Sequence, residues 1–88
     1  MKMDNLKYLG TVIKREREKE NLTIEEVARL ICSSRQLIRI EHNHSLPNVW
    51  TFVKICDRLN VDYSHIISES KLLFVSLNDF SSQRENDQ

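Results

Sequence analysis

At 88 residues, with 40% hydrophobic and 30% charged side chains, the chain can bury one modest core under an ordinary soluble surface. One glycine and one proline exclude sheets built on tight turns and phosphate-cradling glycine loops, and no run of about 18 apolar residues is available to span a membrane. The 13 Lys and Arg balance the 13 Asp and Glu, so the basic surplus that usually marks a phosphate-binding chain is missing. The balance is uneven, because Lys71 and Arg84 stand against Glu69, Asp79, Glu85 and Asp87, which leaves residues 1–67 slightly basic. The opening Met1-Lys2-Met3-Asp4-Asn5 has no apolar secretory stretch, and Cys32 and Cys56 lie in apolar helical segments. Both points fit a cytoplasmic protein with reduced core thiols.

The first predicted helix covers Leu6 to Glu20, with Asp4 or Asn5 as cap and Leu6, Leu9 and Ile13 as its apolar stripe. Asn21 suits the left-handed residue that ends it. Thr23-Ile24-Glu25-Glu26 is a capping box, in which a hydroxyl caps a backbone N–H and the carboxylate reaches back. It opens a second helix carrying Val27, Ala28 and Leu30/Ile31. Ser33-Ser34-Arg35-Gln36 repeats the box ten residues later. Two short helices this close, with small residues between them, predict a helix-turn-helix corner. The third helix ends near His42, where Asn43 again suits a left-handed stop. Pro47-Asn48 restarts the chain into a fourth helix, Val49 to Leu59, with Val49, Phe52, Val53, Cys56 and Leu59 on one face. Asn60 closes it, and Asp62 caps a fifth helix with Tyr63, Ile66 and Ile67. The run Leu72 to Leu77 fits helix and strand equally, since periodicity does not separate short apolar runs. Residues 1–70 therefore form one domain, 71–80 an apolar linker or dimerisation segment, and 81–88 a polar, disordered tail.

Stepping about 100° per residue around the third helix puts Ser33, Leu37, Ile40 and Glu41 on one side. Ser34, Arg35, Ile38, Arg39 and His42 fall on the other, within an arc of about 140°. The first side has the aliphatics a core needs. The second suits base reading: arginine donates two parallel hydrogen bonds to guanine, and an aliphatic touches a thymine methyl. Glu41 on the core side needs a cation, and Arg17, beside the stripe of the first helix, is placed to supply it. The pair would clamp the first helix to the third.

Leu9-Gly10, Ile13, Arg17, Leu22-Thr23, Val27-Ala28, Ile40-Glu41, Pro47, Leu59 and Val61 together resemble the Cro and lambda-repressor type of helix-turn-helix, the XRE family, over Leu9 to Ile67. The segment Val27 to Ser33, leading into Leu37 and Ile40-Glu41, looks closer to the PlcR-like N-terminal domains of peptide-pheromone-sensing regulators. The resemblance implies an all-α, five-helix lambda-repressor-like domain that acts as a DNA-binding transcriptional regulator and homodimer. Its third helix would enter the major groove of double-stranded DNA. The family's base contacts carry over to Ser34, Arg35, Ile38 and Arg39, and its phosphate contacts to Thr23, Ile24, His42, Asn43 and His44. The pheromone-sensing likeness further implies an effector domain C-terminal to this chain. Five positions depart from the family pattern: Ile24 where Gln is common, Asn43 for Gly, Glu16 for an apolar residue, and His42 and His44 for Lys or Arg. Each loses or weakens a grip on phosphate, except at Asn43 and Glu16.

No metal, cofactor or catalytic site is expected. His42, His44, His65, Cys32 and Cys56 include no Cys-x-x-Cys, and no nucleophile has a recognisable orienting partner. Glu16, Glu18, Glu20, Glu25 and Glu26 interleave with basic residues as solvated helix faces do. The rival reading is a protein-interaction module on a helix-turn-helix scaffold with weak or no DNA binding. It would use Trp50 and the Leu72–Leu77 run, and zero net charge and Ile24 favour it.

Overall fold

Five α-helices follow one another along the described chain: α1 (Leu9–Lys19), α2 (Ile24–Ala28), α3 (Ser34–Glu41), α4 (Val49–Leu59) and α5 (Tyr63–Asn86). The computed structural model describes the backbone of residues 6–86 and the side chains of residues 6–77, and within these limits there is no strand. The fold class is thus all-α, as the sequence predicts.

Asparagine decides where three helices stop. Asn21, Asn43 and Asn60 all have φ near +60°, a conformation Asn tolerates better than most side chains. At each, the next residue's N–H reaches back across the last turn: Leu22 to Arg17 O, His44 to Arg39 O and Val61 to Cys56 O. Helix starts are equally local. Thr23 and Glu26 complete the reciprocal box that opens α2. The Ser33 hydroxyl accepts the Gln36 N–H for α3, and the Asn48 side chain accepts the Thr51 N–H for α4.

The exception is α1, which has no local side-chain cap and begins at Leu9 rather than Leu6. Its free N–H groups are met from a distance: Asn43 Oδ1 accepts from Gly10 N at 2.9 Å and from Thr11 N at 3.3 Å. Residues 6–8 form a turn before it, and the predicted caps Asp4 and Asn5 lie outside the described residues.

The core gathers Leu9, Val12 and Ile13 of α1, Val27 and Ala28 of α2, Leu37 and Ile40 of α3, Ile55, Cys56 and Leu59 of α4, and Ile66 of α5. Three expectations need correction. Leu30 lies beyond the end of α2, left-handed at φ 64° and 88% exposed. Val49 overhangs the start of α4 at 79% exposure, while Thr51 and Ile55 are buried in its place. Glu16 is not on a solvated face. It is 4% exposed between α1 and α5, with His65 Nε2 at 3.3 Å, Lys19 Nζ at 3.4 Å and Arg15 Nε at 3.8 Å.

The Leu72–Leu77 run is helical and continuous with the rest of α5. The helix also runs through residues 81–86, predicted to be disordered, because Gly10 and Pro47 are the chain's only strong breakers. At 24 residues α5 is about 36 Å long, more than twice the length of α1 or α4.

Burial pushes the Cys56 thiol up to about 11, with Asp57 and Asp62 adding to it, and burial raises Cys32 as well. Both thiols are free. The folded state therefore favours protonated Cys56. That contribution is complete below the ordinary thiol value of about 9 and is lost as pH rises from there through about 11. Thermal melts should show the midpoint falling over this window in the wild type and falling less in Cys56→Ala. Parallel curves would contradict the assignment.

Candidate nucleic-acid interface

Three inward residues fix how α3 presents itself. Leu37, Ile40 and Glu41 are buried, whereas Arg35, Gln36 and Arg39 are exposed and Ile38 is 42% exposed. Ser34 is half-buried at the start of the outward face. Ser33, predicted on the core side, is exposed because it is the N-cap and stands outside the helix proper. Among the described residues neither Arg35 nor Arg39 has an ion pair or a side-chain hydrogen bond. Two cations, an aliphatic and a small hydroxyl thus share one open face of a rigidly held helix.

The holding is done by Arg17 and Glu41. Arg17 Nε donates to Glu41 Oε2 at 2.6 Å, and Nη2 donates to Oε1 at 3.0 Å. Its Nη1 donates to the Leu22 carbonyl at 2.8 Å, so one guanidinium ties α1, its own terminus and α3 together. The hydrogen bond to Glu41 raises the Arg17 pKa above the ordinary arginine value, against an opposing effect of burial. A second strut stands at the other end of α1. Gly10 lies so close to α3 that a Cβ there would come within 1.7 Å of the Ile40 carbonyl oxygen.

Of the positions to which the family's phosphate contacts carry over, Ile24 is apolar and half-buried, and the other four differ in what they have free. His42 and His44 are exposed, with rings 5.9 Å apart and edge-on. Their backbone N–H groups, and that of Asn43, are spent on α3 carbonyls. The Asn43 side chain is also engaged, since Nδ2 donates to Thr11 Oγ1 at 2.8 Å while Oδ1 caps α1. Asn43 is therefore a strut between α3 and α1 rather than a free contact. Thr23 is exposed, but its N–H and hydroxyl oxygen serve the capping box, and Glu25 and Glu26 put two carboxylates in the same turn.

A family model described as helix-turn-helix matches residues 13–66, which contain α2, α3, α4 and all the outward residues of α3. The chain belongs to the XRE-type helix-turn-helix family. This is a family of DNA-binding regulatory domains. No curated protein matches the chain, so the finer likeness to the pheromone-sensing branch finds no support.

Two exposed residues beside the outward face of α3 were not singled out as contacts by the sequence reading. Gln36 is exposed on the first turn of α3, next to Arg35. Lys7 lines a cleft of about 200 Å³ with Leu6, Asn43, His44, Ser45 and Leu46, beside the end of α3. The signal for Gln36 was its place one residue after Arg35. Lys7 becomes legible only when α1 is known to pack against α3. Trp50, half exposed on α4, carries Lys54 Nζ 5.7 Å above its ring. Among the described residues no three His, Cys, Asp or Glu side chains converge as metal ligands, and no helix is long and apolar enough to cross a membrane.

Proposed function

We propose that this chain is a sequence-specific, DNA-binding transcriptional regulator that lays α3 in the major groove. The observation that carries this reading is the split of α3 into a buried Leu37/Ile40/Glu41 side and an open Arg35/Ile38/Arg39 side. Arg35 and Arg39 would read guanine O6 and N7, Ile38 a thymine methyl, and Ser34 an adjacent base or phosphate. His42, His44 and Thr23 would meet phosphates. The chain would act in the cytoplasm as a homodimer on two half-sites about one helical turn apart. Control by an effector domain beyond this chain is compatible with the same reading.

The test is selection of bound sequences from a random duplex pool, followed by a salt titration on the winner. Each phosphate contact steepens the fall of log K with log salt by about 0.9. A substantial slope and an enriched motif support the reading. The second reading, a protein-interaction module, draws on the zero net charge and on the exposed Val49 and Trp50. It expects no enriched motif and a slope near zero.

Arg39→Ala provides a residue-level check. On the selected site it should cost about 1–3 kcal/mol and relax preference at one base pair. A loss of the same size on every sequence would reassign Arg39 to a phosphate.

A further inference from the structure

We infer that Arg58 of α4 is a positioning residue for the reading helix, acting through the turn between α2 and α3. The inference rests on the DNA reading above. A helix leaves its last carbonyls without intrahelical partners, and α2 is no exception. The Glu25 oxygen takes the Arg29 N–H, and the Ala28 oxygen takes those of Ile31 and Cys32. Glu26, Val27 and Arg29 remain. Arg58 Nη1 lies within hydrogen-bond distance of all three, at 2.9, 3.2 and 2.9 Å, and its two N–H groups are shared among them. The three carbonyls that the local backbone leaves open are thus the three that one guanidinium collects.

The site has a reason to need such a clamp. At the other three left-handed positions the chain places Asn, but in this turn it places Leu30, at φ 64°. Leucine adopts that conformation only at a cost that glycine or asparagine largely avoids. The exposed Leu30 side chain recovers almost nothing by burial. The turn is therefore held from outside, by a cation at the negative end of α2. This turn sets the angle between α2, whose start carries Thr23, and α3, whose face carries Arg35 and Arg39. Arg58 itself sits on α4, away from that face, so its effect on DNA would pass through geometry.

The experiment compares the wild type with Arg58→Ala on two duplexes, the one recovered by selection and one of random sequence. The Arg58→Ala variant should lose about tenfold in affinity for the selected duplex, the size of one misread base pair, and about twofold or less for the random one. Adding Leu30→Gly should recover most of the loss, since glycine holds the turn unaided. If Arg58→Ala does not fold by circular dichroism, Arg58→Lys takes its place. An ammonium reaches fewer of the three carbonyls, so a smaller loss in the same direction is expected. An unchanged ratio of selected to random affinity in a folded variant overturns the inference. So does failure of Leu30→Gly to restore the ratio. A wild-type chain that does not distinguish the two duplexes would instead sink the DNA reading itself.

Discussion

Gly10→Ala is expected to cost about 3 kcal/mol or more, enough to threaten a domain whose whole stability is of order 5–15 kcal/mol. The added methyl would meet the Ile40 carbonyl oxygen at 1.7 Å and Asn43 Oδ1 at 2.8 Å. Neither can yield cheaply. The carbonyl is backbone in the last turn of α3 and accepts the Asn43 N–H, and the amide oxygen caps α1. The helices must separate, and α1 then loses the cap as well as the packing. Urea unfolding gives the measurement. A midpoint equal to that of the wild type would mean that α1 does not approach α3 as closely as described.

Arg17→Ala should be comparably severe. Glu41 is 4% exposed, and removing its partner strands a buried carboxylate, at about 3–5 kcal/mol. The Leu22 carbonyl loses its guanidinium donor at the same time. The pair as such is not worth that much, since exchanging both members for apolar residues of similar volume is often neutral or stabilising. The double variant Arg17→Met/Glu41→Leu should therefore recover most of the loss. Two mild single variants whose effects simply add would show that the carboxylate is solvated instead. Because pairing raises the Arg17 pKa, the guanidinium keeps its charge beyond the ordinary arginine value, and alkaline pH below that value does not discharge the cation of the pair.

What the sequence made legible was mostly local. Asn21, Asn43 and Asn60, the Thr23–Glu26 box and the inward Leu37 and Ile40 follow from spacing and backbone preference alone. The Arg17–Glu41 pair could be anticipated because a core-side carboxylate demands a cation. Features set by distant packing were not legible. Glu16 is covered by α5, whose His65 lies 49 positions away. Asn43 looked free until α1 was seen to be missing a cap. Val49 has the right spacing for the buried face, but it stands about one turn before Phe52, at the first position of α4, where the groove it shares with Leu46 and Pro47 opens to solvent. Leu30 reads as core by its chemistry and is turned outward by its φ. The outward face of α3 was legible as composition, and which of its neighbours are already engaged was not.

The Arg17 and Asn43 struts make α1 and α3 effectively one body. On the proposed reading this bears on how quickly DNA is recognised. No segment between the struts has to refold at encounter, so association should proceed without a slow conformational step. The ordering cost then falls mainly on the free arginine side chains, at about 0.5–1.5 kcal/mol for each one immobilised.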